Sequence, residues 1–100
     1  MIKHIVLWKL KDHAEGVARG QNIRRLQALL ETLPGLIPEI KTFEVGQTLK
    51  PSEEGYDLAL YSTFATRQAL KRYVEHPGHV KVANFVRAVT AQRAVLDYEI

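Results

Sequence analysis

The chain has no cysteine in its 100 residues, which excludes a disulfide framework, a thiolate zinc site and an iron–sulfur cluster and leaves nothing to suggest an oxidising compartment. No apolar run approaches the roughly 18 residues that a membrane span requires. Met1-Ile2-Lys3-His4 leads straight into a charged, strand-like segment, so the expected location is cytoplasmic. Charge of one sign is also lacking: 14 basic residues stand against 11 acidic ones, net +3, with both signs spread along the chain. That is an ordinary solvated surface and gives no footprint for nucleic acid. The six glycines are isolated, without the G-x-G spacing of a phosphate loop, and no serine elbow is present. Repeats and low-complexity stretches are absent as well. The expectation is one domain over residues 1–100, long enough to bury roughly two-thirds of the surface of its unfolded chain.

What is present alternates between two periods. Ile2 to Leu10 has period two with both registers apolar: Ile2, His4, Val6, Trp8 and Leu10 on one side, Ile5 and Leu7 on the other. Asp12 and Glu15 have capping-box spacing, which predicts a helix from His13 or Ala14, with Ile23, Leu26, Leu30 and Leu33 as its stripe and Pro34-Gly35 as its end. Ile40 to Gln47 reads as a strand with Phe43 and Val45 on one face and Ile40 and Thr42 on the other. Tyr56 to Phe64 is a third strand, after the polar hairpin loop Lys50 to Gly55. Thr66 caps a helix over Arg67 to about His76, which resumes at Pro77 and runs to about Val89. Arg93 to Ile100 closes the chain as a strand.

The order β-α-β-β-α-β predicts an α+β, ferredoxin-like domain: a four-stranded antiparallel sheet with both helices on one side. Such a sheet leaves its second face bare. On this reading that face carries Ile5, Leu7, Phe43, Val45, Ala59 and Tyr61, an apolar patch of the kind that marks an interface. A second copy packed sheet to sheet about a two-fold axis covers it, and the expected partner is therefore the chain itself. RNA-binding domains share this element order but need exposed aromatics on the first and third strands. Here only Tyr61 qualifies, so no nucleic acid is expected.

Tyr73 to Val86 is the stretch with the most chemistry. Tyr73 follows Leu70 on the buried side of one helix, while His79, Val82, Ala83 and Val86 repeat the pattern on the next. Two titratable side chains thus point inward from either side of the Pro77-Gly78 break. With His4 on the first strand they predict a cavity between sheet and helices, lined also by Val6, Trp8, Leu58, Leu60, Val82 and Val86. Carbanion chemistry needs a base of near-neutral pKa and a donor for the enolate oxygen: His79 suits the first role, Tyr73 the second, and His4 can orient either. The competing expectation is a non-catalytic protein in which Tyr73 and His79 only satisfy each other. His76 and His79 stand three apart without a nearby carboxylate or thiolate, so no metal and no other cofactor is expected. Asp97 is expected to pair with a helix arginine such as Arg87.

The opening Ile2 to Asp12, the central Glu54-Gly55-Tyr56-Asp57-Leu58-Ala59, the His-Pro-x-His element at His76 to His79 and Asp97-Tyr98 resemble the stress-responsive dimeric α/β-barrel (Dabb) domain. The likeness spans essentially the whole chain and implies protomers whose sheets pair across a dimer into a barrel. In one cyclising plant member, which closes a linear polyketide thioester by aldol condensation without a cofactor, the catalytic tyrosine and histidine fall on Tyr73 and His79. A first-strand histidine of that member falls on His4. Leu58 stands where it has a further pocket histidine, and Trp8 where it has a smaller aliphatic side chain. The resemblance therefore implies a small-molecule site for a partly apolar carbonyl compound, or else a stress or assembly protein stabilised by its dimer barrel.

Overall fold

A computed structural model describes residues 1–100. The first strand, β1 (Ile2–Leu10), buries every even-numbered side chain and half-buries every odd one from Lys3 to Lys9, as its double apolar register demands. It lies at the centre of a sheet with strand order β4-β5-β1-β6, in which β4 is Ile40–Gln47, β5 Leu58–Phe64 and β6 Thr90–Glu99. All pairings are antiparallel. Helices α1 (Arg19–Glu31), α3 (Arg67–Glu75) and α4 (Pro77–Val89) cover one face, and the core between them includes Val6, Trp8, Leu26, Leu60, Phe64, Tyr73 and Val86. Each such aliphatic side chain contributes about 1.5–3 kcal/mol by leaving water. This is the ferredoxin-like arrangement, and no helix is long and apolar enough to cross a membrane.

Three features differ from the sequence expectation. No helix begins at His13: β2 (His13–Ala14) and β3 (Val17–Ala18) form a two-stranded hairpin, and α1 starts only at Arg19. Glu15 and Gly16 both have positive φ, 52° and 78°, the requirement of a tight hairpin turn, and Gly16 supplies it without strain. Asp12 does not cap a helix; its backbone oxygen accepts the Arg19 N–H at 2.8 Å. The first helix ends at Glu31, and Pro34-Gly35 falls inside a short following turn, α2 (Leu33–Leu36).

The third difference changes a face. The register of β4 against β5 slips between Ile40 and Thr42, so Lys41 is an extra residue and Phe43 and Val45 stand opposite Ser62 and Leu60. Phe43 and Val45 therefore pack against the core beneath the helices and do not belong to the outer face. The outer face instead joins Ile5 and Leu7 to Ala59 and Tyr61 on β5 and to Ala94, Leu96 and Tyr98 on β6. Leu96 is 57% exposed and Tyr98 40%.

Asp57, just before β5, is 3% exposed and accepts the Leu10 N–H through Oδ2 at 2.8 Å, while its own N–H reaches the Trp8 oxygen. This buried carboxylate ties the end of β1 to the loop that enters β5. Asp57→Ala orphans a buried backbone donor and is expected to lower unfolding stability by about 1–3 kcal/mol in a urea titration. A midpoint unchanged from the parent protein would contradict that role.

Candidate functional site

The site is built around the break between α3 and α4. Thr66 Oγ1 accepts the Ala69 N–H at 3.0 Å and starts α3. Its helical course ends at Glu75 because Pro77 holds His76 extended, at φ −64° and ψ 137°. His76 then caps α4: its Nδ1 accepts the Gly78 N–H at 3.0 Å, with Pro77 in the first turn. A Cβ on Gly78 would lie 3.2 Å from that nitrogen, so glycine permits the close approach. One imidazole nitrogen of His76 is thus committed to the cap. Tyr73, in the last turn of α3, and His79, in the first turn of α4, meet across the break with ring centroids 4.6 Å apart.

Between these helices and the sheet lies a cavity of about 330 Å³, near the lower end of the usual ligand-pocket range of about 300–1,000 Å³. His4, Val6, Trp8, Leu60, Tyr73, His79, Val82 and Val86 all line it. Trp8 forms part of the wall and leaves the space open. Leu58 is not among the lining residues: it stands opposite Trp8 in the register, one pleat along β5 from Leu60, and is packed in the core with 2% exposure. The apolar periodicity did not single out Arg87, Thr90 and Arg93, which also line the cavity. Strand alternation held the signal for Arg93, because it stands opposite Trp8 on the inner face of β6.

Tyr73 is 1% exposed, and its ring packs on Phe64, His4 and Phe43 at centroid separations of 4.9, 6.0 and 6.4 Å. Burial pushes its phenol well above the usual range, so the hydroxyl stays protonated. No protein group hydrogen-bonds that hydroxyl, His79 included; the two rings touch without the mutual hydrogen bond that a purely structural pair would form. His79 Nδ1 lies 3.1 Å from the Val74 carbonyl oxygen. A carbonyl only accepts, so Nδ1 carries the proton and Nε2 keeps the lone pair in the neutral ring. Burial lowers the His79 pKa from 6.5, with the Val74 bond opposing the shift and the charges of His4 and Arg93 adding to it. At neutral pH the ring is accordingly an uncharged base.

Asp97 pairs with His4, not with Arg87. The two stand directly opposite in the β1–β6 register, and the carboxylate Oδ1 accepts from His4 Nδ1. Arg87 bonds instead to the Asn84 side-chain oxygen one turn earlier on α4. The site therefore sets a neutral imidazole and a protonated phenol on one cavity wall, with a carboxylate-bound second imidazole on the sheet beneath. A family model described as the Stress responsive A/B Barrel Domain matches residues 2–100.

The chain belongs to the Dabb family. An uncharacterised protein of Streptomyces coelicolor is 38% identical to this Dabb chain over 102 residues, covering 99% of each. Olivetolic acid cyclase of Cannabis sativa is 26% identical over 99 residues, 97% of this chain and 94% of the cyclase. Among solved structures, a dimeric, ferredoxin-like protein of unknown function from Bacteroides fragilis superposes with a TM-score of 0.83 at 34% identity, covering 99% of this Dabb chain and 95% of that one.

Proposed function

We propose that the protein is a homodimer whose cavity binds a small, partly apolar carbonyl compound and moves protons on it without a cofactor, as a cyclase-like acid–base enzyme. His79 is the base: its Nε2 takes a proton from the carbon beside the carbonyl. The C–H electron pair becomes the enolate double bond, and the carbonyl π pair moves onto oxygen. Tyr73 donates its hydroxyl proton in a hydrogen bond to that oxygen, and His4, held by Asp97, orients the pair from below. In a substrate with a second carbonyl, the enolate carbon attacks it, a carbon–carbon bond forms as that carbonyl's π pair moves onto its oxygen, and the new alkoxide takes back the proton held on His79 Nε2, which restores the neutral base. The observation carrying this reading is the unpartnered, protonated Tyr73 hydroxyl beside a neutral His79 on an open cavity. A relative named as a cyclase supports it.

Dimerisation is proposed through the outer sheet face, with Ile5, Leu7, Ala59 and Tyr61 at its centre and Leu96 and Tyr98 extending it. The exposed apolar side chains of β6 and the dimeric relative from Bacteroides fragilis support this contact.

Proton NMR in deuterated buffer tests the chemistry. The protein is incubated with small aryl methyl ketones and β-keto esters, and loss of the α-proton signal is followed. Exchange faster than in buffer with bovine albumin is expected for at least one compound. Exchange at the background rate for all of them, with no binding detected, would contradict the proposal.

A further inference from the structure

The cavity lining contains no carboxylate but two arginines, Arg87 from α4 and Arg93 from β6. Neither forms an ion pair; those of the chain involve His4, Arg19, Arg67 and Arg72. The acids nearest to Arg93 along β6 are engaged elsewhere, Asp97 with His4 and Glu99 with Arg67. Arg87 has only the neutral Asn84 oxygen. Two other lining residues add donors without acceptors: the Tyr73 hydroxyl has no protein partner, and the Trp8 Nε1–H is buried with none. Apart from the His79 and His4 rings and the Thr90 hydroxyl, the polar groups of this wall are donors and cations, over a floor of Val6, Leu60, Val82 and Val86.

We infer that the ligand of this cavity is a carboxylate with an apolar body, a keto acid or its aryl or alkyl analogue, whose anionic group is held by Arg87 and Arg93. Planar guanidinium forks match a carboxylate in two hydrogen bonds, and a charge-assisted bond of that kind is roughly twice as strong as a neutral one. The aliphatic floor takes the body, and the carbonyl then lies toward Tyr73 and His79. This deepens the ligand-site reading given above and rests on it.

The test uses Trp8, which is the only tryptophan of the chain and lines the cavity, as a fluorescence reporter. The probes are 3-phenylpropanoate and its uncharged isostere 3-phenylpropanamide, titrated at one ionic strength. The acid is expected to bind about tenfold tighter than the amide, an advantage that shrinks as sodium chloride is added. Arg87→Gln and Arg93→Gln, shown to be folded by circular dichroism, are each expected to weaken acid binding about fivefold or more while leaving amide binding within about twofold. Equal affinity for acid and amide, or an acid preference untouched in both variants, overturns the carboxylate inference while the cavity reading stands. No binding of either probe at millimolar concentration overturns both.

Discussion

His79→Ala is expected to slow α-proton exchange about 100-fold or more, the ordinary worth of a positioned general base. Tyr73→Phe is expected to lose about 100- to 1,000-fold, as it removes one donor from the developing enolate oxygen but leaves the aromatic packing intact. The two losses differ in kind. The histidine variant loses the proton acceptor, so the limb of the pH–rate profile that tracks imidazole deprotonation disappears. In the parent protein that limb lies below pH 6.5, because burial lowers the pKa and the ring is neutral and competent above it. The tyrosine variant keeps the limb at the same position with a lower plateau. Equal rates in parent and both variants would assign the exchange to some other group.

Leu7→Asp and Leu96→Asp are each expected to turn the dimer into monomer in sedimentation velocity, weakening association about 100-fold or more. A carboxylate buried without a partner at an apolar contact costs about 3–5 kcal/mol. Leu96 is the cleaner of the two, since at 57% exposure in the single protomer it contributes little to the fold itself. Val45→Asp is predicted to behave differently: Val45 packs against the core, so its variant loses stability before it loses its partner. A dimer that survives both leucine substitutions would move the interface to another surface.

The sheet and its helices were legible because each strand shows its pleat directly. Even-numbered residues of β1 alternate with odd ones, and both registers are apolar for a reason the fold explains. Tyr73, His79 and His4 were legible through the same periodicities joined to the Pro77 break, since a helix face and a strand face can be read without coordinates. The face of Phe43 and Val45 was not, because one inserted residue, Lys41, inverts the pleat beyond it without any local sign. The Glu15-Gly16 turn was hidden by a rival pattern: Asp12 and Glu15 have the spacing of a helix cap, and only the two positive φ angles decide for the hairpin. The partner of Asp97 is a matter of register across β1 and β6, a non-local quantity that places His4 opposite it. The cationic wall of the cavity is not legible in the periodicity, because apolar stripes carry no mark of the arginines beside them.

The proposed chemistry depends on His79 being a neutral base with its lone pair on Nε2, seated beside a phenol that keeps its proton. Heteronuclear NMR of labelled imidazoles across a pH titration measures this directly. The expected His79 midpoint lies below 6.5, with the proton of the neutral ring on Nδ1, where Val74 accepts it. A midpoint at or above 6.5, or a neutral ring protonated on Nε2, would contradict it.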